Sequence, residues 1–410
     1  MRRIACDPLY LRWDACGQLE HGCRHVGLNV HRLIPADHGH HPVGGQKRGW
    51  REVLKIAVIL GTRPEIIKMS PVIRELDRRG LDFFILHTGQ HYSYEMDRVF
   101  FDELSLPSAK YNLDVGSGSQ ADQTGRIMVG VEKVLLEEKP DVVLVEGDTN
   151  SVMAGALAAA KLHVPVGHVE AGLRSFDCSM PEEINRVVAD HVSDYLFAPT
   201  ETSRRNLLNE GISDENIYVT GNTVVDAVDQ NLELSRRVDV LSRSGLEEGA
   251  FFLVTLHRAE NVDSEMRLGK IFSGLRRVRD EYSLPILFPV HTRTRKMIDF
   301  FGFNLGDVSL VEPVSYLDFL GLESEARLVL TDSGGVQEET CILGVPCVTL
   351  RDNTERPETV EVGSNIVSGV EEASILSAVE EMLRRDRGWS NPFGDGCAGE
   401  RILNILCEVE

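Results

Sequence analysis

The sequence predicts an α/β protein made of two doubly wound parallel-sheet halves, and three observations predict it. Short apolar runs recur along the chain, each followed by a turn and then an amphipathic stretch. The runs are continuously apolar and rich in β-branched residues instead of alternating with polar ones, as strands covered on both faces require. After an irregular stretch at 232–249, which holds "RVDVLSRSGLEEG", the same rhythm starts again.

Taken in order, residues 1–52 stand outside the rhythm. They hold three cysteines, six of the 13 histidines and eight Lys/Arg against five Asp/Glu, with no periodic apolar face. Cys6, Cys16, Cys23, His25 and "HGHH" invite a metal module, but no Cys-x-x-Cys or spaced Cys/His pair supports one. The segment is expected to be a leader, disordered or upstream of the native start, and no part of the fold.

From residue 53, "VLKIAVIL", "LDFFILHTG", "DVVLVEGD", "VPVGHVEAG", "YLFAPT" and "NIYVTGN" read as strands. Helices fill the intervals. In "PEIIKMSPVIRELDRR", Pro64 sits in the first turn, where its missing N–H costs nothing, and Gly80 is the stop signal. The second half offers "FFLVTLH", "PILFPVH", "VSLVEP", "RLVLTDS" and "PCVTLR". The expected domains are 53–230 and 231–389, with a final helix at about 390–410. In such sheets ligands bind beyond the carboxyl ends of the strands, so two facing halves make a cleft.

A net charge of −21 and a pI near 5.1 argue against nucleic acid or an anionic membrane as partner, because the overall field repels both. No run approaches the roughly 18 apolar residues of a membrane helix. The eight cysteines lack disulfide-scaffold spacing, and a cytoplasmic location is expected. An anionic ligand would therefore need local cations.

The strand ends are where such groups gather. They read "GTRPE", "TGQH", "EGDTN" and "HVEAGLR" in the first half, and "TLHRAEN", "PVHTRT", "TDSGG" and "RDNTERPE" in the second. In "TDSGGVQEE", a strand running through Ser333, Gly334 and Gly335 into a helix presents backbone N–H groups where glycine allows close approach, so a phosphate fits, and Glu338 or Glu339 could accept both hydroxyls of a ribose. The alternative is a plain turn with Asp332 or Ser333 as N-cap and solvated glutamates. "GTRPEIIK" lacks G-x-G-x-x-G spacing, so no nicotinamide site is expected. Its Arg63 and Lys68 suit a diphosphate, or are simply surface cations.

Glu182 and Arg186 are four apart, which by itself describes an i,i+4 ion pair. The neighbouring strand ends add Asp148, Glu170 and Arg174, and crowded carboxylates are expected to raise one another's pKa toward neutrality. His257 and His291 are either core or capping histidines, or face the phosphates as second-half strand ends.

"GTRPEIIKMSP", "GDTNS", "HVEAGLRSFD", "MPEEINR", "PTETSRRNL", "GNTVVDA", "TLHRAEN", "TDSGGVQEE" and "RDNTERPETVE" together resemble the non-hydrolysing UDP-N-acetylglucosamine 2-epimerases, over residues 53–410 and in order. The resemblance implies a GT-B fold whose C-terminal helix, "NPFGDGCAGERILNIL", crosses back to the first domain. It implies interconversion of UDP-N-acetylglucosamine and UDP-N-acetylmannosamine without cofactor or metal, and a homodimer. Asp148, Glu170 and Glu182 carry over as acid/base groups. Arg63, Lys68, Arg186 and His257 carry over as catalytic or phosphate-stabilising groups. Ser333, Gly334 and Glu339 carry over to the UDP, with His291 and Arg356 near the same site. In "TGQHYSYEMD", Gln90 and His91 match the site at which bacterial members take an activating second substrate, whereas Ser93 departs from it.

Three other readings compete. "TGQHY" and "RSFDCSMPEEINR" also resemble epimerases of UDP-2,3-diacetamido-glucuronic acid. A GT-B glycosyltransferase would share the UDP half, and a nucleotide-sugar-binding regulator would keep binding without chemistry. NAD-dependent epimerases are disfavoured because the sequence has no Tyr-x-x-x-Lys.

Overall fold

The computed structural model describes residues 54–90, 94–237, 239–306 and 308–408. The expected leader lies outside the described residues, as do His91 and Ser93.

Among the described residues, thirteen parallel strands form two sheets. The first contains β1 (Lys55–Leu60), β2 (Asp82–His87), β3 (Tyr111–Asn112), β4 (Val142–Glu146), β5 (Val166–Val169), β6 (Tyr195–Ala198) and β7 (Ile217–Val219), in the order β3-β2-β1-β4-β5-β6-β7. The second contains β8 (Phe252–Thr255), β9 (Ile286–Pro289), β10 (Val308–Val311), β11 (Leu328–Thr331), β12 (Cys347–Thr349) and β13 (Asn365–Val367), in the order β10-β9-β8-β11-β12-β13. The sequence reading did not include β3 and β13. Both are edge strands of two or three residues, too short to show an apolar run.

The continuous apolar runs divide their side chains between two cores, as a period of two requires. In β1, Ile56, Val58 and Leu60 face one apolar layer, while Ala57 and Ile59 face another. In β8, Phe252 and Val254 face one layer and Leu253 the other. Burying each of these Ile, Val, Leu and Phe side chains contributes about 1.5–3 kcal/mol.

The helix Arg63–Arg79 follows β1. Thr62 and Glu65 form a capping box at its start, and Gly80 ends it in the left-handed region at φ 64°. Pro71 lies inside this helix and cannot donate to the Ile67 carbonyl, which accepts instead from Ser70 Oγ at 2.7 Å. The first part of the stretch 232–249 is helical, because the helix Thr223–Ser235 runs through it. Leu232 packs on the apolar core, so burial overrides the irregular sequence there.

The C-terminal helix Ala398–Glu408 packs on the first half. Asp226 accepts from the Ala398 and Gly399 amides at 3.2 and 2.9 Å, and Arg79 donates to Asn404 at 2.8 Å. Ile402, Leu403 and Leu406 join the apolar cluster that holds Ile66 and Ile73 from the first half and Tyr316, Leu317 and Leu320 from the second. In each sheet the strand order reverses between two neighbours, β1/β4 and β8/β11, which opens a crevice at their carboxyl ends.

Candidate active site

The loops after β1 and β4 are tied together by Glu65, whose carboxylate accepts from the Gly61 and Thr62 amides and from Thr149 Oγ1. Burial pushes the Glu65 carboxyl up to about 7 against these hydrogen bonds. About one and a half turns from the helix start, Lys68 comes round to the same crevice.

Lys68 is the centre of a buried ion cluster drawn from both halves. Its Nζ lies 2.5 Å from Glu170, 3.5 Å from Glu146 and 4.0 Å from Glu338. Arg356 reaches Glu338 at 2.7 Å and Glu170 at 3.7 Å. Asn222 donates to Glu170 at 3.3 Å and to Glu338 at 3.2 Å. Glu170 itself sits at φ 69°, in the left-handed region that is uncommon for a non-glycine residue.

The carboxyls do not all shift upward, contrary to the expectation from sequence. Burial opposes ionisation of Glu170, but Lys68 and Arg356 outweigh it and hold this carboxyl down at about 2. Burial raises Glu146, with Lys68 alone opposing, and raises Glu338, with Arg356 and Lys68 opposing. Crowding of acids does add to the rise at Glu146 and Glu338, and proximity of cations keeps Glu170 charged.

Asp148 stands beside this cluster and pairs with Arg186, which also bonds Glu183 at 3.0 Å. The i,i+4 pairing of Glu182 with Arg186 does not form. Glu183 faces inward and accepts from Ser175 and Phe176 as well, whereas Glu182 points into solvent one position earlier on the helix Pro181–Val192. Arg174 also leaves the cleft, pairing with Asp190 and Glu210, each at 2.7 Å. Asp190 in turn holds His168 at 2.6 Å, and His168 meets the Gly147 carbonyl at 2.8 Å. This chain of contacts fixes the backbone next to Asp148.

Across the cleft, Asp332 is fully buried and is no helix cap. It accepts from the His257 amide at 3.0 Å, the Arg258 amide at 3.1 Å and Asn261 at 3.2 Å, and lies 3.2 Å from His257 Nδ1. These contacts hold the β8 loop beside the β11 loop. Ser333 begins the helix Gly334–Leu343 without capping it by its side chain, so the first amides stay available to a ligand. The space in front of Gly334 and Gly335 is open: a Cβ there would meet nothing closer than 3.9 Å.

His291 caps the helix Thr292–Phe301, accepting from the Arg293 amide at 3.3 Å. Burial lowers its pKa, and so do the nearby positive charges of His257, Arg63 and Arg293. Arg63 therefore approaches the second half from the first and stacks on Phe100, 5.5 Å from the ring centroid. Arg63 also opposes the rise of Glu339, whose carboxyl burial pushes up to about 7. Arg356, grouped by sequence with His291, belongs instead to the acid cluster.

The assembled cleft thus has acids on one wall and amide donors, histidines and Arg63 on the other. The sequence model of the family described as UDP-N-acetylglucosamine 2-epimerase matches residues 74–407. The chain belongs to this family. It is 56% identical over 363 residues to the UDP-N-acetylglucosamine 2-epimerase of Methanocaldococcus jannaschii, covering 86% of this chain and 99% of that one. A crystal structure of that archaeal epimerase in complex with UDP-N-acetylglucosamine and UDP superposes with a TM-score of 0.80 at 55% identity, over 86% of this chain and 99% of that chain. The UDP-2,3-diacetamido-2,3-dideoxy-D-glucuronate 2-epimerase of Pseudomonas aeruginosa is 42% identical over 361 residues, covering 87% of this chain and 100% of that one. The chain is an epimerase of the GT-B-like kind, and no helix among its described residues is long and apolar enough to cross a membrane.

Within this cleft, sequence reasoning missed Glu146, Asn222 and Glu183. Glu146 ends a β-strand in an apolar run, which was the available signal. Asn222 reads as the N-cap of the helix Thr223–Ser235, a role it also fills. Among the described residues, Gln90 is buried and accepts from Ser151 Oγ at 2.7 Å.

Proposed function

We propose that this enzyme inverts C2 of UDP-N-acetylglucosamine, interconverting it with UDP-N-acetylmannosamine. The inverted carbon carries an acetamido nitrogen, so a ketone route with hydride transfer is closed. Loss of the C2 proton with departure of UDP from C1 gives 2-acetamidoglucal. Return of UDP to C1 and of a proton to the opposite face of C2 completes inversion.

The observation that carries this reading is the division of the cleft into an acidic wall and an anion-accepting wall. Asp148 and Glu170 serve as acid and base at C2, with Glu182 joining them when substrate closes the cleft. Arg186 orients Asp148. Lys68, Arg63, His257 and His291 stabilise the charge growing on the departing diphosphate, while Ser333, Gly334 and Gly335 offer amides to it. Glu339 accepts the ribose hydroxyls, and Arg356 holds Glu170 and Glu338 in place. No cofactor or metal takes part. The domains are 53–230, completed by the helix near 390–410, and 231–389. The enzyme works in the cytoplasm as a homodimer, which light scattering tests.

Incubating the protein with UDP-N-acetylglucosamine alone in deuterated water is the test. Deuterium at C2 and appearance of the manno isomer are expected. Release of free sugar, or binding with no exchange, sinks the proposal. Running UDP-2,3-diacetamido-glucuronic acid in parallel separates the two epimerase substrates, and the weaker likeness to the Pseudomonas protein favours the simpler one.

A further inference from the structure

The buried cluster contains one carboxyl to which no role has been given. Glu146 is the last residue of β4 and is 2% exposed. It pairs in register with Val169 of β5, so Glu170 is the next residue along the neighbouring strand. Lys68 Nζ contacts both carboxyls, at 2.5 Å from Glu170 and 3.5 Å from Glu146, so they are held side by side on one ammonium. A hydrogen bond between two such carboxyls needs a proton on one of them, because a carboxylate has no hydrogen to donate.

We propose that Glu146 is a positioning residue that holds this proton and donates it to Glu170, fixing the orientation of the Glu170 carboxylate and keeping it charged for work at C2. This rests on the reading of Glu170 as a group acting at C2.

The distribution of donors assigns the proton. Glu170 has Lys68 at 2.5 Å, Asn222 at 3.3 Å and Arg356 at 3.7 Å. Glu338 has Arg356 at 2.7 Å, Asn222 at 3.2 Å and Lys68 at 4.0 Å. Glu146 has Lys68 alone, at 3.5 Å, and its Oε1 lacks any hydrogen-bond partner. Three carboxyls share two cations, so full ionisation would leave a surplus negative charge in a dry site. The surplus is least compensated at Glu146, where a proton removes it.

Every charged group facing Glu146 agrees with this. Glu65, from the helix after β1, and Glu170 both repel a second negative charge, whereas only Lys68 favours one. Burial drives the Glu146 carboxyl upward and the cations hold Glu170 low, at about 2. Asp148 lies two residues on, turned to Arg186, and His87 at the end of β2 faces Glu65. Rising pH would strip the proton from Glu146, set two carboxylates against each other and displace Glu170.

The test compares wild type, Glu146→Gln and Glu146→Ala in the deuterium-exchange assay across the neutral and alkaline range, with UDP binding measured by calorimetry. Glutamine keeps an N–H donor toward Glu170 and cannot ionise. Its kcat should stay within about threefold of wild type, and its alkaline limb should flatten. Alanine leaves Glu170 without its partner, so kcat should fall by about 10–100-fold with UDP affinity unchanged. If glutamine is as slow as alanine, or if alanine matches wild type, the assignment is overturned. Should the alanine variant not fold, the glutamine profile decides: a flattened alkaline limb supports the proposal and an unchanged one overturns it. A wild type that shows no exchange removes the underlying functional reading as well, and is seen before any variant is compared.

Discussion

The two halves of the molecule share a strand order through β3-β2-β1-β4 and β10-β9-β8-β11 but end their strands in different chemistry. In the first half, β4 and β5 lead into Glu146, Asp148 and Glu170, and the cations that reach them from the same half are Lys68, at Glu146 and Glu170, and Arg186, at Asp148. In the second half, the equivalent acid, Asp332, is spent on backbone amides, Glu338 and Arg356 join the first half's acids, and the ends of β8, β9 and β11 present histidines and backbone donors. A doubly wound sheet supplies only a place beyond its strand ends. Whether that place moves protons or receives an anion is decided by two or three side chains per strand.

Substitutions that remove charge from the acidic wall should break this contrast most severely. Glu170→Gln or Asp148→Asn is expected to lower kcat by about 10²–10⁴-fold while UDP affinity, a property of the opposite wall, changes little. Steady-state kinetics with calorimetry check this. Equal losses in both quantities would mean that the walls are not separate.

Arg356→Ala attacks the join between the walls. It leaves Glu338 and Glu170 buried with Lys68 as their remaining cation, and such broken buried pairs cost about 3–5 kcal/mol. Thermal denaturation should show a marked drop in Tm. The pH dependence adds a sign. Because the folded state holds Glu170 near 2, below its ordinary value of 4.5, its contribution is complete above the ordinary value and is lost as pH falls toward 2. The Arg356→Ala protein should lose part of that acid-side slope.

The anion-accepting wall has its own titration. Glu339, raised to about 7, must be ionised to accept two ribose hydroxyls. UDP affinity should therefore fall as pH drops below 7, by about tenfold per pH unit at the limit, and Glu339→Gln should abolish the slope. Calorimetry across that range measures it.

The smallest structural effect is expected at Glu182. Its side chain is exposed, so Glu182→Gln should leave Tm unchanged and lower kcat alone, whereas Glu183→Gln should loosen Ser175, Phe176 and Arg186 together. A kcat unaffected by Glu182→Gln removes that residue from the proton-transfer set.

Much of this was legible in one dimension. A short, β-branched apolar run bounded by turn signals reads as a strand covered on both faces, so the main strands followed from hydrophobic pattern, as did the cleft at their ends. Side-chain direction was not legible. Glu182 and Glu183 are adjacent, and one residue of helix rotation turns one outward and the other onto Arg186. Arg174 sits four residues after Glu170 yet serves Asp190 and Glu210, because the chain turns at Gly172, φ 81°.

The amino-acid sequence by itself determined the two sheets, the places where polar residues interrupt apolar strands, and the family motifs. The tertiary structure alone decided which acids are charged, because that depends on distances between Glu170, Lys68 and Arg356, residues 102 and 186 positions from Glu170 in neither a shared helix nor a shared strand. Hydrophobic burial is local enough to be written as a pattern along the chain. Coulomb interactions in a dry cleft are set by ångströms between segments that meet only after folding.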